Sequence, residues 1–334
     1  MNLDVSVSFD PDAIDRGESG LWRYRPFLPA INEVRSLGEG MTPLIAGKRP
    51  GEWLKLENLA PTGSFKDRGA AVMLASLAHA GVTQVVEDSS GNAGAAVAAY
   101  AALWEIEAEI FVPAGTSPTK TAQARASGAM VTEVPGGREA TAAWAQLRAE
   151  QVVYASHVWN PGFFEGTKTI AYELWEQMNG ELPDVVLLPV GNGSLLLGLA
   201  RGFQELIQAL PRLKYPRFVG VQARNCAPLA GYEPSHHPTA AEGIRVASPA
   251  RQDQIRRAIA ASGGYWLTVT EKQLRVALCR AVGRGLLIEP TSAVALAGLE
   301  QYYGREHRGQ TVVTIITGSG LKVSNWDHYL LPED

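Results

Sequence analysis

An α/β protein of two lobes, each an open parallel twisted sheet covered by helices, is the fold class that the sequence predicts. Three observations predict it. The chain has 334 residues, more than the roughly 250–300 at which a single hydrophobic core divides. Short β-branched runs alternate with longer Ala/Leu-rich stretches at helical spacing, the pattern of βαβ units, because parallel strands need crossovers and helices supply them. Finally, there are 34 glycines and only 19% charged residues, against about 7% and about 25% on average. That balance suits sheets buried on both faces, with turns that approach a ligand closely.

Strands are expected at 84–87, 109–112, 185–190, 218–221 and 312–316, most of them nearly all apolar. Helical spacing is expected over 69–80, 93–103, 120–127, 167–178, 195–210, 271–284 and 292–303. No repeat of fixed period and no low-complexity tract interrupts them. Breaks fall at Pro135-Gly136-Gly137, at Asn160-Pro161-Gly162 and across 231–238. The first two are expected to mark a lobe edge and the third a surface loop. His236-His237 lies in that loop with no carboxylate at ligand spacing, so no metal is assigned.

Composition also narrows the partners. The formal charge is -4, and no Lys/Arg run could neutralise a row of phosphates, which argues against nucleic acid. Cys226 and Cys279 form no CxxC pair, as expected of two buried thiols in a reducing compartment. The acidic start, with Asp4, Asp10 and Asp12, lacks the basic and apolar regions of a signal peptide. The longest uncharged stretches, 89–104 and 185–200, are 16 residues each, too short to span a bilayer. A cytoplasmic protein with no membrane contact is expected.

In an open parallel sheet, ligands bind beyond the carboxyl ends of the strands, so the residues after each strand carry the information. After strand 185–190 comes Gly191-Asn192-Gly193-Ser194-Leu195, entering a helix. Backbone N–H groups there would converge near a positive helix end, as an anion cradle for phosphate. Taken alone, the motif fits a tight strand-to-helix turn equally well. Leu196 stands where a dinucleotide fingerprint demands glycine, which weighs against an NAD enzyme. Lys66, after Phe65 and at the start of a helix, lies near a positive helix terminus where its ammonium is disfavoured. Such an amine can form a Schiff base with an aldehyde, although a solvated first turn is the plainer reading. A phosphate cradle and an imine-forming lysine together are what pyridoxal 5'-phosphate requires. Thr317, closing the last apolar strand, offers its hydroxyl to the pyridine nitrogen, and Ser89-Ser90-Gly91-Asn92 forms a pocket for a carboxylate or, equally, a capped helix start.

These segments, with Gly20-Leu21-Trp22-Arg23-Tyr24-Arg25, Gly38-Glu39-Gly40-Met41-Thr42-Pro43-Leu44, Gly220-Val221-Gln222-Ala223 and Thr317-Gly318-Ser319-Gly320-Leu321-Lys322, occur in an order that resembles the fold type II pyridoxal phosphate enzymes, of the threonine synthase kind. The likeness covers nearly the whole chain. It implies that Lys66 forms the imine and moves protons, and that Phe65 and Asn92 contact the cofactor, Asn92 at its phenolic oxygen. It implies further that Gly191, Asn192, Gly193, Ser194 and Leu195 take the phosphate, Thr317 the ring nitrogen, and Ser89, Ser90, Gly91 and Asn92 the carboxylate of an amino-acid substrate. The expected lobes are 1–58 with 158–334, larger and cofactor-binding, and 59–157, smaller and substrate-closing. A homodimer is implied as well.

The implied reaction is elimination or replacement at Cβ or Cγ, converting O-phosphohomoserine to threonine and phosphate. One departure bears on it. Phe163 stands where the family's pattern has an arginine for the substrate phosphate, and Val158 where it has a serine, which leaves Lys120 as the remaining anion contact. A phenyl ring cannot bind a dianion as a guanidinium does. Dehydration of serine or threonine, or β-replacement on a non-phosphorylated substrate, is therefore the alternative. A non-catalytic amino-acid sensor is disfavoured, because it has no need of an imine-forming lysine.

Overall fold

The computed structural model describes residues 8–305, 309–323 and 325–330. The start of the acidic N-terminal segment, residues 1–7, lies outside them. In chain order the elements are β1 (Leu44–Ala46), β2 (Glu52–Leu56), α1 (Lys66–His79), β3 (Gln84–Glu87), α2 (Asn92–Leu103), β4 (Glu107–Pro113), α3 (Pro118–Ala126), β5 (Met130–Val134), α4 (Arg138–Arg148) and β6 (Val153–Tyr154). They continue with α5 (Pro161–Gln177), β7 (Val185–Pro189), α6 (Ser194–Ala209), β8 (Arg217–Ala223), α7 (Gln252–Ala261), β9 (Tyr265–Val269), α8 (Glu271–Val282), α9 (Pro290–Arg305), β10 (Val312–Ile316) and α10 (Asp327–Leu330). Contacts divide the chain into two compact units, residues 1–41 with 60–170 and residues 42–59 with 171–334.

The first unit holds a four-stranded sheet in the order β5-β4-β3-β6, parallel throughout. Its core joins Leu21, Trp22, Leu28 and Ile31 to the alanine-rich α1 and α2, where Ala70, Ala71, Ala96 and Ala101 are fully buried. Small side chains let α1 and α2 approach closely, and the N-terminal segment packs into the same core. This is where the packing departs from the expected lobes, which grouped residues 1–58 with 158–334. Residues 1–41 group with the four-stranded sheet instead, and the buried Glu39 carboxylate shows why. It accepts hydrogen bonds from Trp22 Nε1 at 2.6 Å, from the Tyr100 hydroxyl at 2.8 Å, from Leu37 N at 2.9 Å and from the Ser36 hydroxyl at 3.0 Å. A buried charge needs that many donors. The break at Pro135-Gly136-Gly137 is no unit edge, since it only turns β5 into α4. The break at Asn160-Pro161-Gly162 opens α5, because proline is compatible with a first helical turn.

The second unit holds a six-stranded sheet in the order β1-β2-β10-β7-β8-β9, parallel except for the β1–β2 pair. β7 and β10 are buried at every position, as expected of strands covered on both faces. Helix α9 packs across β10, β7, β8 and β9. Gly298 makes this possible, because a Cβ there would lie 2.6 Å from Val221. Lys55 on β2 is wholly buried. Its ammonium donates to Thr42 O at 2.6 Å, Glu173 Oε2 at 2.7 Å and Gln177 Oε1 at 2.9 Å, which satisfies its three donors. Cys226 and Cys279 are free thiols, the first buried and the second partly so.

Within the first unit, the start of α1 is fixed by close backbone packing. A Cβ on Gly166 would lie 1.9 Å from Arg68 O, and one on Gly69 would lie 2.6 Å from the Phe163 ring. Gly166→Ala should therefore destabilise the protein by about 1–3 kcal/mol or more, as overpacking against backbone does. Urea denaturation with an unchanged midpoint would contradict this packing.

Candidate active site

The expected site residues divide between the two units. In the first unit, Lys66 opens α1 from the loop Pro61–Phe65. Asp67 shapes that loop: its carboxylate accepts from Thr62 N at 2.6 Å and from the Thr62 hydroxyl. Gly63 takes the positive φ of 83° that the turn requires. The Lys66 ammonium lies 4.6 Å from the centroid of the Phe65 ring and 5.5 Å from that of Phe163. Phe163 is wholly buried and edge-on to His157, with ring centroids 6.1 Å apart. The residue standing in for the family's arginine thus forms part of the apolar surroundings of Lys66.

Ser89, Ser90 and Gly91 form the turn between β3 and α2, and Asn92 is the first residue of that helix. The N-cap of α2 is Gly91, which has no side-chain cap hydrogen bond, so neither serine caps the helix as the capped-start reading had it. Gly94 is obligatory, since a Cβ there would lie 1.9 Å from Ser89 O. Lys120 is exposed in the first turn of α3.

In the second unit, Gly191, Asn192 and Gly193 turn β7 into α6, with Ser194 and Leu195 in the first helical turn. Gly193 is the N-cap at φ 79°, again with no side-chain cap, and a Cβ there would lie 2.4 Å from Ile255. A Cβ on Gly191 would lie 2.9 Å from the Ile244 backbone. Only glycines can keep this concave backbone. Thr317 follows β10, and its hydroxyl lies 3.1 Å from the Ser292 hydroxyl and 3.1 Å from Glu289 Oε1. Ser292 also accepts from Gly318 N at 3.0 Å. Glu289 and Ser292 belong to the segment Glu289-Pro290-Thr291-Ser292 that leads into α9.

Each unit therefore offers features that fit pyridoxal phosphate. The second has a glycine-shaped helix start for a phosphate and a buried hydroxyl cluster for a ring nitrogen. The first has a primary amine against apolar rings and an uncapped helix start for a carboxylate.

The sequence reading missed one cluster. Glu87 ends β3 with its carboxyl wholly buried, 2.6 Å from His157 Nδ1, and the Tyr154 hydroxyl donates to Asp88 at 2.7 Å. Glu87, Asp88 and His157 offer three metal-ligand atoms within 4.8 Å of one another, but the two short contacts are hydrogen bonds. The available signal was two acidic residues directly after an apolar run. Burial pushes Glu87 up to about 8, against the opposing pull of Lys66. Burial, and then the Lys66 charge, lowers His157 to about 3. Burial and the neighbouring Glu87 also raise Asp88.

Residues 35–318 match the family model described as "Pyridoxal-phosphate dependent enzyme". The threonine synthase of Methanocaldococcus jannaschii is 34% identical over 343 residues, covering 96% of this chain and 84% of that protein. That of Mycobacterium tuberculosis is 38% identical over 316 residues, covering 90% and 87%. Among solved structures, a threonine deaminase from T.th. superposes with TM-score 0.69 at 29% identity, covering 83% of this chain and 92% of that one. Maize serine racemase, at 21% identity and TM-score 0.71 over 84% and 88%, shares the fold. Among the described residues, no helix is long and apolar enough to cross a membrane.

The Glu87–His157 pair predicts a pH dependence of stability. Folded Glu87 keeps its proton to about pH 8 instead of 4.5, so its contribution falls as pH rises between those values. Folded His157 protonates near 3 instead of 6.5, so its contribution rises with pH over that window. The slopes cancel between 4.5 and 6.5. What remains is a loss of about 2 kcal/mol as pH rises from 6.5 to 8 and a similar loss as pH falls from 4.5 to 3. Urea denaturation should show the alkaline loss in wild type and its absence in Glu87→Gln; equal curves above pH 6.5 would contradict the assignment.

Proposed function

Because the chain belongs to the family of pyridoxal-phosphate-dependent enzymes, we propose that it converts O-phosphohomoserine to threonine and phosphate. The observation that carries this reading is the match to threonine synthases over nine-tenths or more of the chain, with Lys66 opening α1 against Phe65 and Phe163. When bound, pyridoxal phosphate supplies an electron sink that weakens bonds to the amino-acid Cα.

The chain's own residues do the rest. Lys66 would hold the cofactor through its Nζ and would take and return protons at that atom. The α6 amides, with Gly191, Asn192, Gly193, Ser194 and Leu195, hold the cofactor phosphate. The Thr317 hydroxyl, oriented by Ser292 and Glu289, meets the ring nitrogen. A hydroxyl there leaves that nitrogen largely unprotonated, which suits elimination and replacement more than transamination. The α2 amides at Ser89, Ser90, Gly91 and Asn92 hold the substrate carboxylate, aiming its Cα–H bond at Lys66. Phe65 and Asn92 line the cofactor, and Lys120 meets the substrate phosphate. Residues 42–59 with 171–334 act as the cofactor-binding part and residues 1–41 with 60–170 as the substrate-closing one. The protein works as a homodimer in the cytoplasm.

Phe163, an uncharged ring beside Lys66, favours a second reading, in which the substrate is serine or threonine and the product a 2-oxoacid. Two assays on the loaded enzyme separate the readings. Release of inorganic phosphate with threonine formation from O-phosphohomoserine supports the first, and 2-oxoacid formation from threonine supports the second. Lys66→Ala should abolish either activity together with the visible absorbance of bound cofactor. Retention of that absorbance would refute the role of Lys66.

A further inference from the structure

The second unit carries a groove of about 800 Å³ that the function above does not use. Its walls come from β1, β2, the turn between them, α8 with the residues just after it, and α9. None of its residues is among those assigned to cofactor or substrate. A volume of this size fits a small organic molecule.

The floor is apolar. Leu54, Ala277, Ala281 and Leu299 belong to the buried core of the unit, while Ile45, Leu286 and Leu296 pack on that core and stay partly open. Val276, in the middle of α8, remains 41% exposed. The rim is basic. On α8, Lys272, Val276 and Arg280 recur every four residues, which puts two cations on one face with an apolar side chain between them. Arg284 continues that spacing just beyond the helix, and Lys48 enters from the turn between β1 and β2.

Two carboxylates also line the groove, Glu52 and Glu300, but Arg49 takes both. Its guanidinium donates to Glu52 Oε2 at 3.2 Å and to the two oxygens of Glu300 at 3.3 and 2.6 Å. Glu52 is buried, and its other oxygen accepts from Lys48 N at 3.0 Å. Gly47 allows that approach, since a Cβ there would lie 2.4 Å from Glu52 Oε1. Glu300 is held below the usual carboxylate range first by its hydrogen bond from Arg49, and more weakly by the charges of Lys48 and Arg280. Among the described residues, Lys48, Lys272, Arg280 and Arg284 make no ion pair of their own. Four cations therefore surround an apolar floor whose acidic groups are already engaged. Gathered like charges beside a low-dielectric surface attract an anion, and the floor adds a preference for one with an apolar body.

We propose that this groove binds a small amphipathic dianion, an apolar body carrying a phosphate or a pair of carboxylates. The body lies on Ile45, Val276 and Leu296. The oxyanion is held by Arg280 and Arg284, whose planar guanidinium groups match phosphate or carboxylate with paired donors, while Lys48 and Lys272 add positive charge. This site does not depend on the function proposed above.

Titration calorimetry on the cofactor-loaded protein tests it with 1-naphthyl phosphate, naphthalene-1,4-dicarboxylate, 1-naphthol and inorganic phosphate. At least one of the two dianions should bind about tenfold or more tightly than both 1-naphthol and inorganic phosphate, because only the dianions use floor and rim together. Whichever dianion binds more tightly identifies the phosphate or the dicarboxylate as the natural class. Affinity for it should fall about tenfold or more in the double variant Arg280→Gln/Arg284→Gln, whose altered side chains are exposed and leave the core intact. Cofactor-free protein should show the same difference between wild type and variant, so the result stands whether or not pyridoxal phosphate binds. Equal binding by wild type and the double variant would overturn the proposal, as would inorganic phosphate binding as tightly as both dianions. If neither dianion binds, and sedimentation shows a wild-type dimer that the double variant dissociates, the groove is covered by a second copy of the chain and the proposal fails.

Discussion

Parallel pairing is the constraint from which the rest follows. In a parallel sheet successive strands end at one edge, and the chain must leave that edge by a turn that feeds a helix N-terminus. The four-stranded sheet does so after β3, at 88–91 ahead of α2, and the six-stranded sheet does so after β7, at Gly191–Gly193 ahead of α6. Where the turn residues are glycine or small polar groups, the first-turn amides stay free of side-chain caps. Under the proposed function, recognition of anions would be built from backbone, with few side chains beside it.

Those few are held by close packing more than by charge. Lys66 stands where it does because Gly69 admits the Phe163 ring and Gly166 admits the Arg68 backbone. Thr317 stands where it does because Gly318 leaves room for the Glu289 carboxyl, whose atoms lie 2.3–2.4 Å from where a Cβ would be. In both units the polar group that can meet a ligand is oriented by a neighbour that glycine lets come near.

The fold was readable where periodicity was strong. The expected strands 84–87 and 312–316 coincide with β3 and β10, and the expected helix 93–103 differs from α2 by one residue. Elements at the margins were not readable. β5, with Met130 exposed and Val131 and Thr132 half-buried, has no apolar run. β9 begins with the half-buried Tyr265 and Trp266 after a Gly-Gly pair. Amphipathic α4 buries only Thr141 and Ala145, so it offers little hydrophobic signal. The N-terminal segment misled for another reason: its motifs are local, whereas its allegiance is decided by Trp22 and Tyr100 meeting on Glu39, 61 positions from Tyr100.

By itself, the sequence determined the α/β class, the parallel crossovers, the glycine turns and the candidate lysine, because each rests on residue types within a few positions of one another. Only the tertiary structure decided that Phe163 lies against Lys66, that Ser292 and Glu289 orient Thr317, and that Glu87 is buried against His157. The physical reason is distance along the chain. Glu87 and His157 are 70 positions apart, and the burial that disfavours charge on both comes from neighbours supplied by other strands and helices.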